Sequence, residues 1–322
     1  MKIFFVYRDY KGARRGRYAK MMSALGHQVK SVKVRNKLAA HQVTSAYLKK
    51  YEPDLLWILQ PAYVASKVVD QSAIEYAKTK GIPIATYWTY GLDKSYKSML
   101  KHYKIFDFLF MHNLEHHKYL KEKGLNSYYM PIGFYPEDYF KTINYKHNKL
   151  RISFMGRCQT QVEPALDKRS KYINSLEKYG IRVYGSTLRP RIKPTIPVYP
   201  YSTHKEQRQV YSMSKINLSL PFLNSSLGFY KNKYHIKNRI FEIPATHNFL
   251  LTARCNEFLK IFGEDTIGYY DDNINSLRES VDKYLKDKKQ RVKMSENAYN
   301  LVHEKHTFSH RFEQMFKIIG SI

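Results

Sequence analysis

A chain of 322 residues with 43% hydrophobic residues is long enough for two packed cores of about 150 residues each, and too apolar for general disorder. Lys and Arg number 55 against 27 Asp and Glu, a formal charge of +28, which points to phosphate-bearing or otherwise anionic partners. Two cysteines, Cys158 and Cys255, are too few for a zinc ribbon or a disulfide framework, so a cytoplasmic protein is expected.

The first apolar run, "KIFFVY", is cut off by Arg8 and Asp9 before it could serve as a signal-peptide core, and no run approaches the roughly 18 apolar residues of a spanning helix. It reads as a strand, as do "HQVKSVKV", "PDLLWIL", "IPIATYW" and "FDFLFMH", which are rich in β-branched and aromatic residues. Helical stretches such as "GRYAKMMSALG" and "SAIEYAKTKG" separate them, the second stopping at Gly81 with Pro83 just beyond. Strand and helix alternating at this spacing predict a parallel sheet covered on both faces.

Pro131, Gly133 and Pro136 interrupt the rhythm, and a linker is expected over residues 131–149. The alternation then restarts with strand "LRISFMG", helix "KRSKYINSLEKYG", strand "IRVYGS", a loop with four prolines, helix "HKEQRQVYSMS" and strand "KINLSL". Helix "NRIFEIP", strand "NFLLT", a short strand "IGYY" and long closing helices complete the chain. The expectation is an α/β protein of two facing Rossmann-like, doubly wound domains: residues 1–140, residues 141–305, and a last helix over 306–322 crossing back to the first. Ligands of such sheets bind outside the carboxyl ends of the strands, so the loops after strands are the ones to read.

In the first loop, Gly12 and Gly16 accompany Arg14, Arg15 and Arg17 at the start of a helix, a combination suited to an anion; a solvated basic loop is the plain alternative. The matching loop of the second half is "FMGRCQ", where Arg157 follows Gly156, and Arg169 in the next helix adds a charge. A guanidinium suits a diphosphate because its planar fork makes two parallel hydrogen bonds. In "NRIFEIP", Glu242 could accept both hydroxyls of a ribose while Arg239, one turn earlier, reaches the diphosphate; Lys231 and Lys233 are further phosphate partners. On a surface helix the same Arg and Glu would be a weak ion pair of about 0.2–0.5 kcal/mol.

The stretch from "INLSL" through "NRIFEIPATHNFLLT" and "IGYYDDNINSLRESVDKYLKD" to "HEKHTFSHRF" resembles the carboxyl-terminal domain of GT-B-fold glycosyltransferases, in particular the spore-maturation-protein-like group, related to the group 1 glycosyl transferases. The resemblance is best over residues 215–312 and fainter over the first domain. It implies transfer of a sugar from a nucleotide-sugar, UDP- or GDP-linked, with no further cofactor. The donor would lie on the second domain, with Glu242 at the ribose and cations at the diphosphate, and the acceptor mainly on the first. Two positions depart from the pattern: Tyr234 stands where many retaining members carry a Glu eight residues before Glu242, and His247 replaces a glycine.

Catalysis needs a base for the acceptor hydroxyl or stabilisation of the departing diphosphate. Asp93 after a first-domain strand is the leading base; Asp9 is second, because neighbouring arginines depress its pKa. The segment "HNLEH" matches the H-x-x-E-H of inverted zinc proteases, but His112 ends a strand, so His112 and His116 straddle a turn; His112 is expected to face the sugar instead. No D-x-D triplet occurs, so metal-independent activity is expected, with Arg and Lys in the metal's place. Residues 1–50 hold thirteen Lys or Arg and one acid, which favours an anionic acceptor: DNA with hydroxymethylated bases, a phosphate-containing wall polymer, or a lipid-linked glycan reached by peripheral membrane contact. The competing class is a non-catalytic nucleic-acid-binding protein whose aromatics stack on bases. A nucleotide-sugar epimerase-like fold would need a dinucleotide fingerprint, and none is present.

Overall fold

A computed structural model gives the fold and describes residues 1–8, 16–34, 42–88, 96–142, 149–156, 164–185, 192–200, 203–222, 234 and 236–321. In chain order the elements are β1 (Lys2–Tyr7), α1 (Gly16–Ala24), β2 (Gln28–Lys33), α2 (Ser45–Tyr51), β3 (Leu55–Ile58), α3 (Ala62–Ala65), α4 (Gln71–Thr79), β4 (Ile84–Trp88), α5 (Tyr96–Tyr103), β5 (Phe108–Met111), α6 (Leu114–Glu122) and β6 (Ser127–Tyr129). They continue with β7 (Leu150–Met155), α7 (Pro164–Asn174), β8 (Ile181–Tyr184), β9 (Val198–Tyr199), α8 (His204–Met213), β10 (Ser214–Ser219), α9 (Arg239–Ala245), β11 (Leu250–Ala253), α10 (Asn256–Phe262), β12 (Gly268–Tyr270), α11 (Ile274–Lys286), α12 (Lys288–Lys305) and α13 (Phe308–Gly320).

The chain forms two compact units, Met1–Ile132 with Phe308–Ile322, and Gly133–Thr307. Unit 1 is a six-stranded sheet in the order β2-β1-β3-β4-β5-β6, and unit 2 one in the order β12-β11-β10-β7-β8-β9; every pairing is parallel. Inner strands therefore have both faces covered, and β1, β3 and β5 read as nearly unbroken apolar runs. Edge strand β2 instead buries no side chain, with Val29 and Val32 half-buried and Lys30 and Lys33 exposed, and the lysines discourage pairing with another chain.

Helix starts are set by local chemistry. Asp70 caps α4 by accepting from Ser72 N at 2.7 Å, and the helix gives way at Gly81, whose φ of 64° a side chain would resist. Thr203 and Glu206 close a capping box on α8. The last helix, α13, is held in unit 1 by aromatic contacts: Phe312 lies 5.1 Å from Tyr18 and 5.6 Å from Trp57, and Phe316 lies 5.8 Å from Trp57. The elements that escape the sequence reading are short: α2 buries only Leu48, β6 has three residues and β9 two. Among the described residues no helix is long and apolar enough to cross a membrane.

Candidate active site

In unit 2 the chain runs from β7 out to β8 and β9, then returns to lay β10, β11 and β12 on the other side of β7. The switch point thus falls between β7 and β10, and the crevice outside their carboxyl ends is where an open sheet of this kind holds a ligand.

Two glycines shape that corner. Gly156 follows β7 and Gly185 follows β8, and a Cβ on Gly185 would lie 1.8 Å from the Gly156 carbonyl oxygen, so only glycine fits there. A Cβ on Gly156 would lie 2.7 Å from Arg239 Nη1 and 2.9 Å from Phe154 Cζ. The missing side chain is what lets the Arg239 guanidinium come down on the end of β7.

Phe154, fully buried at that end, carries two guanidiniums: those of Arg239 and Arg169 each lie 5.8 Å from its ring centroid. Arg169 comes from α7, is 5% exposed, and donates from Nη2 to the Leu220 carbonyl just past β10 at 3.4 Å. Each ring contact is worth about 0.5–2 kcal/mol and neutralises nothing. Two cations fixed on one ring repel each other until an anion joins them, so the pair suits a doubly charged group such as a diphosphate.

Glu242 sits on α9 one turn after Arg239 and is partly exposed. Burial pushes its pKa up to about 7, although Arg239 and hydrogen bonds with Tyr139 and Asn238 pull the other way; Asp138 adds to the rise. Behind it lies a polar group from two further segments. The Tyr139 hydroxyl is 2.7 Å from His204 Nδ1 and donates to Gln207 Oε1 at 2.8 Å, and Arg208 donates from Nη1 to the Asp138 carbonyl while lying 4.5 Å over Phe140.

Both departures from the family pattern have a structural account. Tyr234 hydrogen-bonds to Asp272 beyond β12, and the same carboxylate accepts Lys168 Nζ at 2.6 Å and the Tyr172 hydroxyl at 2.9 Å. Burial works to raise the Asp272 pKa, and these donors outweigh it and hold the carboxyl below its ordinary value. His247 adopts φ 61°, the left-handed geometry the glycine would supply, with Nε2 3.1 Å from Glu296 and the Asn248 amide donating to the Thr246 carbonyl at 2.8 Å.

Of the donor residues read from sequence, Arg169 and Arg239 are brought together on Phe154 at the end of β7, with Glu242 one turn after Arg239 on α9, whereas Arg157, Lys231 and Lys233 lie outside the described residues. So do Asp9, Asp93, Arg14 and Arg15; Arg17 is half-buried in the first turn of α1. His112 is buried just beyond β5, and His116 in the first turn of α6 has its pKa lowered to about 3 by burial and by His112 nearby. Glu115 of the same motif pairs with Lys118 at 3.4 Å, and among the described residues no three His, Cys, Asp or Glu side chains gather to hold a metal. Sequence reading missed Tyr139, His204, Gln207, Lys168 and Asp272. Asp272 lies in "IGYYDDN", within the stretch that carries the family resemblance, and offered a signal; Tyr139 sits in the stretch read as linker and offered none.

Residues 165–317 match the family model described as glycosyl transferase-like. No curated protein matches the sequence. Whole-chain fold similarity extends to the glycosyltransferase from Rickettsia africae (14% identity, 98% of this chain and 97% of that one, TM-score 0.69). Anabaena Alr3699/HepE in complex with UDP and glucose aligns at 10% identity over 100% of both chains with a TM-score of 0.67. An alpha-glucosyltransferase in complex with UDP and a 13-mer DNA containing an HMU base aligns at 15% identity over 99% of both chains, TM-score 0.66. Two parallel Rossmann-like sheets define the GT-B fold. With the glycosyl transferase-like segment spanning most of the second, the chain has the GT-B fold and a glycosyl transferase-like second unit.

Proposed function

We propose that the protein transfers a sugar from a nucleoside diphosphate-sugar to a hydroxyl of an anionic acceptor, without a resident metal or other cofactor. The observation that carries this is the pair of guanidiniums on Phe154 with Glu242 one helical turn away. Arg169 and Arg239 match the two charges of a diphosphate, and a carboxylate beside them can accept both hydroxyls of the ribose. UDP-bound structures of this fold, Alr3699/HepE among them, make UDP the first donor nucleotide to test. Arg157, Lys231 and Lys233 are proposed as further phosphate partners.

In the transfer step the bond from the anomeric carbon to the diphosphate oxygen breaks, and its electron pair leaves with the nucleoside diphosphate. The acceptor oxygen forms the new bond and passes its proton to a base, for which we propose Asp93, with Asp9 second and His112 facing the sugar. Negative charge grows on the leaving diphosphate, where fixed guanidiniums stabilise it most. The acceptor is proposed to bind unit 1 through Arg14, Arg15 and Arg17, because residues 1–50 hold thirteen Lys or Arg against one acid. A DNA acceptor has a precedent on this fold in the alpha-glucosyltransferase solved with DNA. A cytoplasmic setting belongs to the same proposal and rests on the two-cysteine composition.

The test is a thermal-shift screen against UDP, GDP, ADP and CDP, run with excess EDTA and repeated with added Mg²⁺ in its place. One diphosphate at about 100 times its Kd should raise the Tm by about 5 °C, from roughly 2.7 kcal/mol of binding, and Glu242→Ala should abolish the rise. No response to any of the four, a response that needs divalent metal, or an undiminished response in Glu242→Ala would each sink the corresponding part.

A further inference from the structure

The Tyr139 hydroxyl has one proton and three neighbours that can take it or supply another. It donates to Gln207 Oε1 at 2.8 Å, lies 2.7 Å from His204 Nδ1, and shares a hydrogen bond with the Glu242 carboxyl. Tyr139 is 1% exposed and Gln207 7%, so bulk water does not compete for the bond between them, while Glu242 is partly exposed on its other side. Such a hydroxyl satisfies an ionised Glu242 only by donating to it, and then gives up the bond to Gln207 Oε1. It satisfies the neutral acid by accepting from it, and then keeps Gln207. The two protonation states of Glu242 therefore correspond to two directions of a single O–H.

We propose that Tyr139 is a positioning residue for donor binding: turned towards Glu242, its hydroxyl holds the ionised carboxylate that the ribose requires, and turned towards Gln207 it holds the neutral acid that the ribose does not fit. The proposal rests on the reading of Glu242 as the ribose carboxylate. Vicinal hydroxyls need two good acceptors, and a neutral carboxyl offers one weakened acceptor and a donor. From its own helix end, Glu242 is faced by Arg239 and Asn238, both favouring the ionised form. Asp138 and Tyr139 face it from the segment before β7, with Asp138 opposing, and α8 contributes His204, Gln207 and Tyr211 through Tyr139. Packed on α9, α12 presents His303 to the Ala245 carbonyl at 3.1 Å and Glu296 to His247, each engaged at the far end of that helix. With burial opposing Arg239, neither state of Glu242 is remote near neutrality.

The intact protein is titrated calorimetrically with UDP-glucose, GDP-mannose and ADP-glucose from about pH 5.5 to 9, and the tightest binder is followed. These diphosphates lack the terminal phosphate that titrates near pH 6 and would mask the protein's own proton. Wild-type affinity should rise with pH and level off above the Glu242 midpoint. Tyr139→Phe removes the donor that favours the carboxylate and should move that midpoint up by about one unit. Gln207→Leu removes the competitor for the same proton and should move it down by about half a unit. Shifts of opposite sign cannot come from general loosening of the fold. Midpoints that stay put, or move together, overturn the proposal. Glu242→Gln separates the two levels: undiminished binding there, or no binding by any of the three donors to wild type, overturns the ribose reading itself, whereas lost binding there with an unmoved Tyr139→Phe midpoint overturns only the role of Tyr139.

Discussion

Units 1 and 2 share a parallel six-stranded plan, yet burial acts on their polar groups in opposite ways. In unit 1, rings fill the space against α13, where Trp57, Phe312 and Phe316 meet, and the histidine buried on α6 is discharged: His116 has its pKa lowered to about 3 and is neutral at any working pH. In unit 2 the end of β7 keeps its charges. Burial there would also discharge Glu242, but Arg239, Tyr139 and Asn238 hold its pKa at about 7, and Arg169 stays buried on Phe154. Burial penalises every charge, so a buried group that stays close to ionising has been given partners for it. That is the physical ground for placing donor chemistry in unit 2.

The largest expected effect tests this division directly. Arg239→Ala removes one of the two cations proposed to meet the diphosphate, and kcat/KM should fall by about 10²–10³-fold, some 3–4 kcal/mol of transition-state stabilisation. Arg17→Ala, in unit 1, should leave donor affinity unchanged. Equal losses of donor affinity in the two variants would erase the contrast between the units.

A smaller effect comes from the donor itself. If Glu242 accepts from both ribose hydroxyls, 2′-deoxy-UDP should bind about tenfold more weakly than UDP, the roughly 1.5 kcal/mol of one hydrogen bond to a charged group. Glu242→Gln should narrow that gap. Equal affinities in the wild type would remove Glu242 from the ribose while leaving the guanidinium pair in place.

How much of this was legible in sequence depends on whether a feature is periodic or local. The strands and the α/β plan were legible because buried parallel strands are apolar runs that little else produces, as in "KIFFVY" and "FDFLFMH". The R-x-F-E turn was legible because its spacing is set by one helix. Tyr139 was not: it meets His204 and Gln207 from 65 and 68 residues away, and nothing in "YPEDYF" marks a hydroxyl that will face α8. The Phe154 ring was read as strand core, which it also is. Its second role as a platform for two guanidiniums depends on α7 and α9 converging on one strand end, and no local pattern encodes that convergence.

The smallest effect has the sign least expected of a site residue. The Glu242 pKa is about 7 in the folded protein against an ordinary 4.5, so between those values the folded chain holds a proton that the unfolded chain has released. Stability must fall as pH rises through that window, and the loss is complete above about pH 8. Glu242→Gln, neutral throughout, should therefore raise the Tm of the ligand-free protein by about 2–5 °C at pH 8, some 1–2 kcal/mol, and by nothing near pH 4. Scanning calorimetry at the two pH values decides it. A variant equally destabilised at both would mark Glu242 as an ordinary structural partner of Arg239. A gain confined to high pH, together with lost donor binding, would mean that the empty fold tolerates an unfavourable charge at the place where the ribose is proposed to bind.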